Sequence, residues 1–132
     1  MLNTGVLMGI DPGPHCGVAV KIDGRYHTAT LLQKTELWDM LKEHRPDMVG
    51  YERFDRSNRI DPAMIYTMEL VGSIEGACHV LGITAHQQKP QMRRAFILEA
   101  HEILKNTQPT PHEVDALAHL LLLEYRVKEN ML

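Results

Sequence analysis

Four side chains in this sequence could share one piece of chemistry. Asp11 closes the apolar run VLMGID at residues 6–11, Glu52 closes a second run, DMVGYE at 47–52, and His112 and Asp115 stand three apart where an apolar segment begins. Residues three apart on a helix share a face, so the last two would point the same way. Carboxylates brought together repel one another. A divalent cation relieves that repulsion, activates a water and stabilises a departing oxyanion. Oxygen-rich ligands suit Mg²⁺ or Mn²⁺. Singly, each residue has a plainer reading: Asp11-Pro12-Gly13 as a turn, Glu52 as a strand-end charge, Asp115 as a first-turn acid favoured by the helix dipole. Only the elements between them decide whether the four converge.

Residues 6–11 are almost continuously apolar, the mark of a strand buried on both faces, and therefore central. Residues 17–22 and 25–32 flank Asp23-Gly24, a two-residue signal for a tight hairpin with positive φ at both positions, so the first three strands should run antiparallel. Thr35 can cap a helix carrying Leu37, Met40, Leu41 and His44, with Pro46 just past its end. Residues 47–52 then read as a strand. A strand-helix-strand step favours a right-handed crossover that lays this strand parallel to an earlier one, with the central first strand as its natural neighbour. Parallel neighbours end on the same side, which would bring Asp11 and Glu52 together where open α/β sheets bind ligands.

Asp61-Pro62 is a cap and first-turn signature for a long helix with Met64, Met68, Val71, Ile74, Cys78 and Leu81 along one stripe, stopped by Gly82. A short strand at 82–86 and a helix over 90–104 follow, then a polar loop. Thr110 and Glu113 form a T-x-x-E capping box with Pro111 at the first helical position, which places His112 and Asp115 in the first turn of the last helix.

At 132 residues the chain is expected to form a single domain, 1–132, with one site. Its 44% hydrophobic and 23% charged residues set disordered and fibrous classes aside. Cys16 and Cys78 lack any metal or disulfide framework and suit free thiols, hence a cytoplasmic protein. No secretory leader or membrane-spanning run is evident. The net charge of −3 would not draw the chain to nucleic acid, so an anionic partner must be met by local patches.

GIDPG at 9–13 followed by GVAV, the acidic YERF ending the fourth strand, VGSIEGA at 71–77 and HEVDALAHLLLLEY in the last helix together resemble the RuvC-type Holliday junction resolvases. In size the chain is similar to the compact RuvC-like resolvases of bacteriophages. The resemblance covers nearly the whole chain in order. It implies an α/β RNase H-like fold with a five-stranded mixed sheet, order 3-2-1-4-5 and strand 2 antiparallel, flanked by helices. It also implies a homodimeric endonuclease that resolves DNA four-way junctions by paired nicks, with water as nucleophile. By matching position, Asp11, Glu52 and Asp115 would be metal-binding catalytic carboxylates. His112 would take the fourth place, where relatives carry aspartate or histidine, around two Mg²⁺ or Mn²⁺ ions per site. A YqgF-type RNA-processing nuclease or a branched-DNA debranching enzyme shares the implied fold. Sugar kinases and actin-like ATPases hold phosphate on it too, but need a second lobe, and a catalytically inactive junction-binding protein is disfavoured by the presence of the carboxylates.

Two basic clusters flank the expected site: Arg53, Arg56 and Arg59 after the fourth strand, and Lys89, Arg93 and Arg94 at the next helix. Phosphate contacts by such residues would position a duplex without reading bases, against the alternative of a solvated loop and helix start. Phe54 lies close to where RuvC proteins place a wedging aromatic, shifted by a residue; the competing reading is a core phenylalanine. The helix over 62–79 carries more apolar surface, including Ile65 and Leu70, than one sheet face requires, and is the expected dimer interface. His15, His86 and His119 are weaker candidates: His119 as a core residue or a support for a ligand, His86 as a strand end on the active side. Cys16 has no histidine partner by spacing and is set aside as a nucleophile.

Overall fold

Side-chain alternation along the strands sorts the molecule into two layers. The structure, a computed structural model describing residues 5–54 and 60–132, contains five strands: β1 (Leu7–Asp11), β2 (Cys16–Ile22), β3 (Arg25–Leu31), β4 (Met48–Glu52) and β5 (Thr84–Gln88). Their order is β3-β2-β1-β4-β5. β1–β2 and β2–β3 are antiparallel, β1–β4 and β4–β5 parallel, as the hairpin and crossover signals predict. Met8, Ile10, Val18, Val20, Val49 and Tyr51 face α1 (Lys34–His44) and α2 (Pro62–Leu81). The alternate positions, including Leu7 and Ala19, face α4 (Ile97–Leu104) and α5 (Pro111–Lys128).

The local signals act largely as expected. Asp23 and Gly24 take φ of 51° and 77° and close the β2–β3 hairpin. Asp61 accepts the Met64 N–H at 2.8 Å to start α2, and left-handed Gly82 ends it. Thr110 Oγ1 accepts the Glu113 N–H at 3.2 Å to start α5.

The structure departs from the sequence reading at several elements. α1 begins before Thr35, because the Glu36 carboxylate accepts the Gln33 N–H at 3.1 Å and makes Gln33 the cap. After Gly82, the Ile83 N–H still bonds the Cys78 carbonyl at 2.8 Å, so the fifth strand starts at Thr84 and reaches Gln88. Segment 90–104 is not one helix: α3 (Pro90–Arg93) tightens into a 3₁₀ turn at Arg94–Phe96 before α4. That break turns Arg93 inward while Phe96, Ile97 and Ala100 pack against α5. Along α2 the buried stripe is Leu70, Ile74, Ala77 and Cys78, so Leu70 is core, whereas Met68 is exposed. Among the described residues no helix is long and apolar enough to cross a membrane.

α5 lies unusually close to the sheet, and two glycines make this possible. A Cβ on Gly9 would stand 2.2 Å from the Ala116 carbonyl oxygen, and one on Gly17 would stand 1.9 Å from that of His112. Both obstacles are backbone, which cannot rotate away. Gly17→Ala is therefore expected to lift the start of α5 and cost about 1–3 kcal/mol, as overpacking does. Gly13→Ala, whose Cβ would meet only the His15 carbonyl oxygen at 3.8 Å, serves as the tolerated control. Urea unfolding of both variants checks this, and equal stabilities would show that the close approach carries no strain.

Candidate active site

Parallel pairing of β1 and β4 matches Ile10 with Tyr51, so Asp11 and Glu52 leave neighbouring strands at the same end. Both alternate with glycines, Gly9 and Gly50, on the sheet face covered by α5. The first turn of α5 crosses Gly17 of β2 and delivers His112 and Asp115 to that same end.

There the side chains form two linked groups. His112 Nδ1 lies 3.3 Å from Asp11 Oδ2. Arg93 bridges the other two carboxylates, with Nε 3.0 Å from Glu52 Oε1 and Nη1 on Asp115 Oδ1. The Nε contact is one of charge alone, since its N–H is not aligned for a hydrogen bond. Buried His119 approaches from below, Nε2 standing 3.4 Å from Glu52 Oε1. The structure thus brings Asp11, Glu52, His112 and Asp115 to one end of the sheet. Among the described residues, however, no three acidic, histidine or cysteine side chains enclose a single ion position, and Arg93 occupies the space between Glu52 and Asp115.

The electrostatics follow from one guanidinium serving three carboxylates. Burial, then the charges of Glu52 and Asp115, push the Asp11 carboxyl up to about 8, only partly opposed by Arg93. Burial also acts to raise Glu52, but the hydrogen bond and charge of His119, with the charge of Arg93, outweigh it and hold Glu52 below the usual carboxylate value. Among the described residues, Arg93 only partly offsets the carboxylate charge that raises Asp11. The site's donor set of carboxylate oxygens and one imidazole fits a hard divalent cation, and such a cation is what would allow Asp11 to ionise.

The remaining candidates divide. Lys89 and Arg94 are exposed and flank the inward-turned Arg93 in sequence. Arg53 follows Glu52, and its N–H bonds the Gln88 carbonyl at 2.8 Å. Phe54 belongs to neither core; half-buried, it lines a small cleft of about 260 Å³ with Pro12, Glu52 and Thr67. Arg56 and Arg59 lie outside the described residues. His15 is exposed and stacks on His112, ring centroids 5.7 Å apart. His86 sits mid-strand opposite Gly50, not at a strand end, because β5 starts two residues later than its glycine suggests. Cys16 is buried, and burial with the Asp11 charge pushes its thiol up to about 12, so it offers no thiolate. Gln88 and Arg126, absent from the sequence reading, complete the polar cluster below Glu52. A larger cavity of about 530 Å³, among Leu7, Phe96, Leu121 and Tyr125, has none of Asp11, Glu52, His112 or Asp115 in its lining.

Sheet order 3-2-1-4-5 with helices on both faces is the RNase H-like fold. More narrowly, it is the RuvC form of that fold. The chain superposes on Thermus thermophilus RuvC in complex with a Holliday junction substrate with a TM-score of 0.78, at 19% identity over 95% of this chain and 96% of that one. A second Thermus thermophilus RuvC structure gives 0.73 at 21% identity, over 95% and 96%. The yeast mitochondrial Holliday junction resolvase Ydc2 gives 0.60 at 11% identity, over 90% of this chain and 75% of that one. No family model matches the sequence, and no curated protein matches it.

The Asp11 environment has a stability consequence whose sign is fixed. An unfolded aspartate ionises near 3.8, whereas the folded one holds its proton to about 8, so the native state is penalised progressively as pH rises between those values. Asp11→Asn should match wild type in stability near pH 4 and exceed it increasingly above, the gap growing by up to about 1.4 kcal/mol per pH unit. Denaturant unfolding from pH 4 to 8 without divalent cations measures this. A gap that is constant or shrinks with pH would show that Asp11 is ordinarily ionised.

Proposed function

We propose that this protein is a divalent-metal-dependent endonuclease that resolves four-way DNA junctions as a homodimer, working in the cytoplasm. The observation that carries the reading is the meeting of Asp11, Glu52, Asp115 and His112 at the strand ends of a RuvC-type fold, where Arg93 pairs with Glu52 and Asp115 and the Asp11 carboxyl is pushed up by their charges. Asp11, Glu52, His112 and Asp115 are the residues that would hold Mg²⁺ or Mn²⁺, two ions per site. Bound there, the metal supplies water activation and charge stabilisation at a phosphodiester. The imidazole of His112 makes the donor set softer than four carboxylates would, which favours Mn²⁺ over Mg²⁺.

The chain's own residues orient the substrate. Exposed Lys89 and Arg94, with Arg53 bonded through its N–H to the residue before Lys89, would meet backbone phosphates beside the carboxylates. Arg56 and Arg59 extend that patch in the same reading. Phe54, half-buried beside Glu52, lines the cleft in which an unstacked junction centre would come to rest. Buried, disulfide-free Cys16 and Cys78 accord with a reducing compartment.

A four-way junction has approximate two-fold symmetry, so paired nicks call for two sites related by an axis. α2 supports this assembly. Exposed Ile65 and Met68 share its outer side with Gly72 and Gly76, where an added Cβ would meet nothing within 4 Å. Glu69, paired with Lys34 at 2.7 Å, borders the same side, and the small residues there admit a second helix closely. Leu70, buried in the core, takes no part.

One experiment addresses both halves of the reading. With a synthetic four-way junction and Mn²⁺, Asp115→Asn should lose at least about 100-fold in cleavage rate, as removal of a stabilising active-site group does, while still binding the junction. Gly76→Arg should sediment as a monomer and make unpaired nicks. Near wild-type cleavage by Asp115→Asn would remove it from the site, and paired nicking by a monomeric Gly76→Arg would refute the α2 interface.

A further inference from the structure

Below Glu52 lies a polar chain that the nuclease reading does not itself require. Gln88 and His119 are almost wholly buried, 1% and 0% exposed, in a layer otherwise built of leucine, valine and alanine. Buried polar groups are tolerated when every donor meets an acceptor, so the directions of these bonds can be worked out in sequence. The His119 backbone carbonyl can only accept, and Gln88 Nε2 stands 2.9 Å from it, which fixes the amide nitrogen on that side. The other end agrees, because Arg126 Nη1 can only donate and faces Gln88 Oε1 at 3.2 Å. With its nitrogen so placed, the Gln88 amide also points at His119 Nδ1, 3.1 Å away, and that ring atom must accept. A neutral imidazole accepting at Nδ1 carries its proton on Nε2, and Nε2 faces Glu52 Oε1 at 3.4 Å.

Room for this chain is built into the sheet. A Cβ on Gly50 would sit 2.8 Å from Gln88 Nε2, so the glycine two residues before Glu52 leaves the space the amide occupies. Parallel pairing sets Gln88 directly beside Glu52, and His119 is one helical turn beyond Asp115.

We propose that Gln88 and His119 are positioning residues that hold Glu52 by its Oε1, with the His119 tautomer set by Gln88, so that Oε2 is the oxygen Glu52 presents to the reaction. Arg93 meets the same Oε1, at 3.0 Å, so among the described residues these two contacts on Glu52 both fall on one oxygen. This inference deepens the nuclease reading and rests on Glu52 being one of its site carboxylates. A purely structural cluster would end at His119 and have no use for Nε2 aimed at a strand-end carboxylate.

The tautomer can be read without any cleavage or metal. Long-range ¹H–¹⁵N correlation spectra of the metal-free protein at pH 7 should show His119 with a bare Nδ1 and a protonated Nε2, and Gln88→Met should abolish that preference. Mn²⁺ titration of the protein alone then tests the hold on Glu52. His119→Gln, whose amide nitrogen can reach as Nε2 does, should stay within about threefold of wild type, whereas His119→Leu should bind Mn²⁺ about 10-fold or more weakly, as loss of an outer hydrogen bond does. With junction DNA the leucine variant should lose kcat and keep KM. A protonated Nδ1 in the wild type, or equal Mn²⁺ affinity in the leucine and glutamine variants, would overturn the proposal. If His119→Leu fails to fold, the wild-type tautomer and the Gln88→Met spectrum still decide it. A wild type with the expected tautomer but neither Mn²⁺ binding nor cleavage would refute the nuclease reading together with the role assigned to Oε2.

Discussion

The seating of α5 against bare strand backbone is the constraint from which the rest of the site follows. Gly9 and Gly17 admit the helix to distances no other residue would allow, and Ala116, Leu117, Leu120 and Leu123 are fully buried as a result. Depth alone would leave the helix free to slide along its axis. Its two ends are therefore pinned by β2 and β3: Glu113 accepts from Thr28 and Thr30 at 2.8 and 2.7 Å, and Glu124 from Tyr26 at 2.8 Å and Lys21 at 3.5 Å. Held in depth and in register, α5 brings His112, Asp115 and His119 to carboxylates that the sheet places independently. A site assembled from two strand ends and one helix needs this rigidity, because an error of an ångström disperses the group.

Concentrating acids in this way works against folding. Asp11 is kept from ionising by burial and by its acidic neighbours, and Arg93 is the cation that holds Glu52 and Asp115 close in the free protein. Charge imbalance of this kind is typical of functional sites, where affinity for an absent partner is built at the expense of stability. It also explains the break between α3 and α4. A continuous helix over 90–104 would satisfy the backbone more simply, yet the 3₁₀ turn is what lets Arg93 face the carboxylates while Phe96 and Ile97 face the core.

Much of this architecture was legible in the sequence, for identifiable reasons. The hairpin at Asp23-Gly24, the crossover to β4 and the capping box at Thr110 are local signals, and together they determine the strand order and the end at which Asp11, Glu52 and Asp115 meet. What remained hidden depends on contacts distant in sequence or on competing apolar faces. α2 carries apolar residues nearly all round, so periodicity could not tell Leu70, which is buried, from Met68, which is not. Of the basic residues Lys89, Arg93 and Arg94, composition gives no hint that only Arg93 turns inward. Gln88 escaped notice because Gly82 marks the end of α2 but not the start of β5, and a strand placed over 82–86 leaves residue 88 in a loop. His119 was visible as a histidine one turn beyond Asp115, yet its meaning depends on Gln88, 31 residues earlier.

The central claim, that this fold and this cluster of acids cut branched DNA through bound metal, is tested most directly by mapping nicks. Wild-type protein is incubated with a four-way junction and with its constituent linear duplexes, in Mn²⁺ and in chelator, and the broken phosphodiesters are located on all four strands. The account predicts nicks on two opposed strands at symmetric positions near the branch point, in Mn²⁺ only, with the linear duplexes left whole. Cutting that persists in chelator, or that falls equally on linear duplex, would contradict it.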